Sequence, residues 1–493
     1  MASQHGIMNI LSFGAVGDGV TKCTDAIQSA VEATSALGGG TVLVPAGNYF
    51  TGAIHLRSGV NLHLDSGATL SFSDDPEDHP SVFTRWGGVE CQAAYAPCLY
   101  GRELHDVSIT GRGTLDGRGT RWWRRHDDLL AGRFEPNARE REFKKKNISI
   151  PIEEWPYADW QLQYLRPVLL QFLECRHVLI EGVTLRNSPF WNTHLVYCDD
   201  VTVHNVRFLN PDDAPNGDGL DVDSSTNVRV SNCHFDVRDD CICLKSGLDR
   251  DGRRVNRPTE NVVITNCIMQ RGHGGVVLGS EIAGSIRNVC ISNCIFDGTE
   301  RGIRLKANRA RGGMVEDVMV SNILMKDVQV GFVINSFYRC GHDENDPVLF
   351  GENPQPVTEM TPAFRRINFQ GVTMRGVKAA CAYIAGLPES PVSNLTLDNV
   401  EMETVQNADA VPAEVDALPR RNADDWLWTG EGFHARHVKN MRLQNVRIHP
   451  RQAPALKIEN ADNVTVSGFE THLPAPPEES VVICQSTNLK QCP

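Results

Sequence analysis

The sequence predicts an all-β fold, a single right-handed parallel β-helix with an N-terminal capping helix. Three observations point to it. First, a short pattern of alternating apolar residues ending in Asn or Gly recurs along the chain. Alternation with β-branched residues makes short strands, and Asn or Gly tolerates the left-handed backbone of a turn. Second, the spacing of the pattern is too short for strand-plus-helix units and suits one coil of a solenoid, with strands stacked about 4.8 Å apart. Third, the blade period of about 40 residues and the antiparallel hairpin turns that a propeller needs are not apparent.

The elements follow in chain order. Thr24 to Leu37 has helical composition, opens on a Thr/Asp start signal and stops at Gly38-Gly39-Gly40, which makes it a cap over the first coil. The pattern reads Val107 to Gly111, Val178 to Gly182, Val201 to Asn205, Val228 to Asn232, Val262 to Asn266, Val289 to Asn293 and Val318 to Asn322. It continues as Ile367 to Gly371, Leu395 to Asn399, Met441 to Asn445 and Val464 to Gly468. From position 182 through 205, 232, 266, 293 and 322 the steps are 23, 27, 34, 27 and 29 residues. Three insertions carry the excess length, at about 118–166, 247–258 and 405–439. The first holds Trp122, Trp123, Trp155, Tyr157 and Trp160, aromatic residues of the kind that more often anchor an insertion to the body than stack on sugar. The Pro-rich stretch from Pro474 is expected to cover the far end, and no linker interrupts 1–493, so one domain is expected.

Bulk composition narrows the function. At 41% hydrophobic and 22% charged residues the chain can build a core and is not a disordered one. No apolar run approaches the length of a membrane span, so no membrane partner is expected. The first residues lack a basic and then apolar leader, which implies a cytoplasmic setting, or a periplasmic or secreted one if a signal has been removed. Fifteen cysteines, an odd number, argue against a full disulfide framework, and Cys233, Cys267 and Cys294 share one repeat position that suits small buried packing. Cys241 and Cys243 have no matching pair at zinc spacing, so neither a metal nor another cofactor is expected. The net charge of -13 disfavours nucleic acid. Between Arg271 and Arg311, however, seven basic residues face three acidic ones, and such a local positive field can attract a polyanion.

Four segments carry chemistry: Pro215 to Gly219, with Asn216 and Asp218; Asp239-Asp240; Gly272-His273-Gly274; and Arg304-Leu305-Lys306. Carboxylates supply the acid and base that break a glycosidic bond, and fixed cations hold a sugar that bears a carboxylate. An acidic polysaccharide or oligosaccharide is therefore the expected partner. Asp239 lies seven residues after Asn232 and His273 seven after Asn266, an equal offset that predicts one edge of adjacent coils. Asp218 precedes Asp239 by 21 residues, and Arg304 and Lys306 follow His273 by about another coil, so one stripe is expected. Asp239 and Asp240 can share a groove only where the chain turns or bulges. Asp and Gly also populate solenoid turns, as Asp212-Asp213 does at the same offset from Asn205, but turns alone require neither His nor Arg-x-Lys.

With flanking Gly113 to Gly117, Asn187 to Trp191, Leu244 to Gly247 and Phe13 to Gly19, these segments resemble glycoside hydrolase family twenty-eight, the polygalacturonase family, over roughly residues 8 to 470. The resemblance implies a parallel β-helix and hydrolysis of α-1,4-linked galacturonan with inversion; exo action is favoured because long insertions can close one end of a groove. It implies that Asp239 is the general acid, that Asp218 and Asp240 activate water, and that His273 tunes or orients the acid. It further implies that Arg304 and Lys306 bind the substrate carboxylate, with Asn216 and Tyr338 in the substrate-binding set. Gly217 and Leu305 depart from the family's Thr and Ile, the second conservatively, and Gly217 with the insertions leaves a rhamnogalacturonan or xylogalacturonan hydrolase as the alternative. A calcium-dependent pectate lyase and a non-catalytic carbohydrate-binding solenoid are the rivals from other classes.

Overall fold

Alternation along each short strand sends one set of side chains inward and the other outward. Val201, Val203, Val228 and Val230 are fully buried, while Thr202 and Arg229 between them face outward. The computed structural model of the chain describes residues 6–150, 164–339, 342, 346–406, 413–414, 427–428, 430–473 and 480–492. It divides into two compact units, Met1–Ile242 and Cys243–Pro493. Each is a stack of parallel coils, and the chain has the right-handed parallel β-helix fold expected of it.

In the first unit one coil consists of the strands Thr193–Val196, Asp199–His204 and Arg207–Leu209, and the next of Leu220–Asp223, Thr226–Ser231 and His234–Val237. The three strands meet their counterparts in register, Thr193 with Leu220, Val201 with Val228 and Phe208 with Phe235. Inside, the rings of Phe208 and Phe235 stack 4.6 Å apart and almost parallel. In the second unit Gly274–Gly279, Ile286–Ser292 and Ile295–Asp297 form a coil, and Val262, Val289, Val318, Ile367 and Leu395 make one continuous row. Burying a Val, Ile or Phe side chain contributes about 1.5–3 kcal/mol, repeated at every rung.

The turn reading holds at all eleven positions, with φ running from 49° at Asn445 to 109° at Gly111. A second row of left-handed corners went unread. It is the residue just before each pattern, from Asp106 to Asn463, with φ between 52° and 58°. Side-chain amides link some of these corners, as where Asn288 Nδ2 donates to Asn261 Oδ1 at 3.1 Å and Asn463 Nδ2 to Asn440 Oδ1 at 2.8 Å. Cys233, Cys267 and Cys294 are buried and carry no disulfide, as small packing residues should.

The cap is an α-helix, Thr24–Ala36, which buries Ile27, Ala30, Val31 and Thr34. Its start signal was misread. Cys23 is the N-cap, its side chain makes no capping hydrogen bond to the helix, and Thr24 Oγ1 instead accepts from the Gly52 amide at 2.7 Å. It stops as expected, and a side chain at Gly39 (φ 116°) would stand 2.6 Å from the Gly59 carbonyl oxygen. The first insertion contains the helices Thr120–Leu130 and Ala138–Lys146. Trp122 is buried among Tyr95, Phe143 and Tyr164, and Trp123 Nε1 donates to the Ser188 carbonyl at 3.0 Å, so both tryptophans anchor. Trp155, Tyr157 and Trp160 lie outside the described residues, as does most of 407–426. The third insertion ends earlier than expected, because Glu431–His449 is a strand of the parallel stack. The Pro-rich 474–479 also lies outside, while Val481–Cys484 continues the ladder. One antiparallel hairpin was not anticipated: Ser81–Trp86 pairs with Val89–Tyr95 across Gly87-Gly88, both at positive φ. Among the described residues no helix is long and apolar enough to cross a membrane.

Candidate active site

The three acids come together within the first unit. The Asn192 amide donates to Asp218 O at 2.8 Å, and the Gly219 amide donates to Asp240 O at 2.9 Å. Asp218 and Asp240 thus hold one position in successive coils, each two residues before its strand, Leu220–Asp223 or Ile242–Lys245, begins. An oxygen of Asp218 and one of Asp240 lie within 4.8 Å of each other, close enough to share a water. Asp239 and Asp240 fall between the strands His234–Val237 and Ile242–Lys245, which supplies the turn that an adjacent pair needs. Asp239 Oδ1 accepts from the Asp240 amide at 2.9 Å. Asp218 and Asp240 are buried and Asp239 is half-buried. Burial pushes the Cys241 thiol up, and the negative field of Asp240, Asp236, Asp218 and Asp239 adds to it, so all three acids bear on one point.

Arg166 holds the loop that delivers Asp218. Its Nη1 donates to Pro189 O at 3.0 Å and Pro215 O at 2.8 Å, and its Nη2 to Asn216 Oδ1 at 2.7 Å. The Asn216 side chain is therefore engaged by the protein. Gly217 takes an ordinary negative φ, and its carbonyl accepts from Asn210 Nδ2 at 2.9 Å, so the residue that departs from the family motif is held rather than loosened. Behind this region His194, which carries no role in the sequence reading, lies wholly buried with Gln171 at 2.9 Å, and Arg85 from the hairpin pairs with Asp223 at 3.0 Å.

The second unit contains His273 and the cations. The Arg301 amide donates to His273 O at 3.2 Å, so the one-coil neighbours of His273 are Glu300 and Arg301. Arg304 and Lys306 lie further along that strand, opposite Val277 and Gly279. Both are buried, and both stand over the Tyr338 ring, at 5.0 and 5.1 Å from its centre. Behind them Lys245 Nζ meets Glu281 Oε2 at 3.2 Å. Burial pushes the Glu281 carboxyl up, but Lys245, Arg311 and Lys306 outweigh it and hold it below its ordinary value. The equal offset of Asp239 and His273 joins the two units and remains an expectation.

The family profile described as glycosyl hydrolases family 28 matches residues 158–417, more than half of the chain. The chain belongs to that family. This glycoside hydrolase is 31% identical over 414 residues to a probable polygalacturonase of Vitis vinifera, spanning 82% of this chain and 76% of the relative. It is 29% identical over 347 residues to the exo-poly-alpha-D-galacturonosidase of Dickeya chrysanthemi, spanning 66% of this chain and 56% of that one. Among solved structures, the exopolygalacturonase of Thermotoga maritima superposes with a TM-score of 0.70 at 31% identity, covering 89% of this chain and 91% of that one. A family 28 exopolygalacturonase of Yersinia enterocolitica shares the fold, with a TM-score of 0.69 at 21% identity, covering 100% of this chain and 80% of that one. A second profile, rhamnogalacturonase A/epimerase, pectate lyase-like, matches residues 7–73 of the hydrolase.

Sequence reasoning missed two residues that hold candidate segments in place, Arg166 in the first unit and Glu300 in the second. Arg166 was counted only as the end of an insertion. Glu300 was counted only as a negative charge, although it stands 27 residues after His273, one coil on.

Proposed function

We propose that this family 28 hydrolase is an inverting, exo-acting polygalacturonase that trims α-1,4-linked oligogalacturonides from one end. The observation that carries the reading is the stacking of Asp218 and Asp240 within 4.8 Å, with Asp239 beside them. In this reading Asp239 protonates the glycosidic oxygen as the bond to the anomeric carbon breaks. Asp218 and Asp240 hold one water between them and take its proton as it attacks that carbon from the opposite face. An inverting enzyme needs about 6.5–9.5 Å between acid and base carboxyls, so the close pair serves as the base and Asp239 as the separate acid. Arg304 and Lys306, set over Tyr338, receive the substrate carboxylate, where the guanidinium offers two parallel hydrogen bonds.

That the acids of one unit and the cations of the other serve one catalytic event rests on the order of the family motifs, which takes 1–493 as one functional domain. No metal or cofactor enters the reading. Exo action is supported by the anchoring of the first insertion, through Arg166 on the loop that leads into Asp218 and through Trp123 on the loop one coil before it. The rhamnogalacturonase-type profile ends at residue 73, before any candidate site residue, and does not move the substrate away from galacturonan. A reducing, cytoplasmic setting belongs to the same reading, supported by the buried thiols of Cys23, Cys98 and Cys381, and cell fractionation tests it.

Three measurements test the proposal. Digestion of defined oligogalacturonides yields mono- or digalacturonate from the first minutes; a spread of mid-length products makes the enzyme endo-acting. Asp239→Asn lowers kcat by about 10²–10⁴-fold with an unchanged circular dichroism spectrum. Unchanged turnover in that variant removes the mechanism. Activity lost to a chelator, with products absorbing in the ultraviolet, points to a lyase instead.

A further inference from the structure

We propose that Glu300 is a positioning residue, one that fixes the proton of His273 on Nδ1 and so dedicates Nε2 to the reaction. The inference rests on the functional reading above and adds to it a residue that the motifs do not contain. His273 Nδ1 lies 2.6 Å from Glu300 Oε2. An ionised carboxylate can only accept, so the nitrogen facing it carries the hydrogen. A neutral imidazole has one donor and one acceptor, so Nε2 then presents a lone pair, and once protonated it presents a donor. A carboxylate that orients a working histidine in this way recurs wherever imidazole must hold one tautomer.

The carboxylate itself is held. Glu300 Oε2 also accepts from Arg301 Nη1 at 2.6 Å, and the Arg301 side chain is only 2% exposed. The backbone fixes the pair as well, because the Glu300 amide donates to Gly272 O at 2.9 Å and the Arg301 amide to His273 O at 3.2 Å. Imidazole and carboxylate therefore face each other from equivalent points of two successive coils, 27 residues apart. A charge placed for surface solubility has no need of this arrangement: His273 and Glu300 are 33% and 24% exposed, and the oxygen they share points at a buried guanidinium.

The test uses the full chain with ¹⁵N-labelled histidine. In the unaltered protein the neutral His273 ring shows the Nδ1–H signature, the minority tautomer of free imidazole. In Glu300→Ala the Nε2–H form takes over and kcat falls by about 10–100-fold, with KM within about twofold. Glu300→Gln, which keeps an acceptor, restores the tautomer and most of kcat. An Nε2–H signature in the unaltered protein, or Glu300→Ala that leaves both tautomer and kcat in place, overturns the proposal. His273→Ala separates the two readings. If it keeps full turnover, the histidine is no part of the reaction and the role of Glu300 falls with it, while Asp239→Asn still decides the functional reading. If it is slow while Glu300→Ala is not, only the role of Glu300 falls.

Discussion

Arg304 and Lys306 both stand over the Tyr338 ring, and that geometry separates the roles of the two cations. A planar guanidinium above a ring keeps its fork in place for a carboxylate, whereas an ammonium is a point charge on a flexible stem. Arg304→Lys, which keeps the charge and loses the fork, is expected to raise KM for oligogalacturonide about tenfold and leave kcat within about threefold; an unchanged KM in steady-state assays rejects bidentate recognition. Asp249 gives a prediction about stability. Burial pushes its carboxyl up, but the Arg311 guanidinium at 2.6 Å and His342 outweigh it and hold it below the ordinary 3.8. A carboxyl lowered in the folded state stabilises fully above its unfolded value, and that contribution is lost as pH falls through the folded one. Asp249→Asn therefore costs about 3–5 kcal/mol near neutral pH, and the difference narrows as the pH drops below 3.8. Thermal unfolding of both proteins at several pH values checks it, and an equal difference at every pH contradicts it. Asp218, Asp239 and Asp240 were legible as residues because a motif names them. Glu300 was not, since only the coil register shows which carboxylate faces His273.

At the scale of elements the corners decide. Asn399 sits at φ 54° and is exposed, so its backbone is its main contribution. Asn399→Val, forced into a conformation that a β-branched residue resists, is expected to cost about 1–3 kcal/mol by denaturant unfolding, and Asn399→Gly less than about 1 kcal/mol. Equal costs sink the corner argument. The first row of corners could be read in advance because each follows an apolar alternation and is always Asn or Gly. The second row mixes Asp, His, Arg and Asn, and its members look like ordinary polar residues until the register is known. Gly87-Gly88 between two β-rich runs was a readable hairpin signal, overlooked because the period of the repeat sets no place for a pair folding back on itself. The helix start was hidden for another reason: Thr24 does have a hydroxyl partner, but that partner lies in a loop 28 residues on.

Across the whole molecule the net charge of -13 opposes a polyanion, while the segment from Arg271 to Arg311 attracts one. If the local field governs encounter, kcat/KM on long galacturonan falls as salt shortens the screening length from about 30 Å at 0.01 M to about 10 Å at 0.1 M. A rise over that range instead means that the negative body dominates. The overall architecture was foreseeable because a solenoid writes its period into the sequence: the steps of 23, 27, 27 and 29 read from the turns recur as the offsets of the paired strands. Between Thr259 and Gly279 every paired residue meets its partner 27 positions later, on all three ladders. Excising a block of that size would rejoin the chain in phase, whereas losing a single residue would turn every following side chain inside out as far as the next corner. Length in such a protein is quantised, and variation that survives is confined to complete turns of the spiral or to its bends.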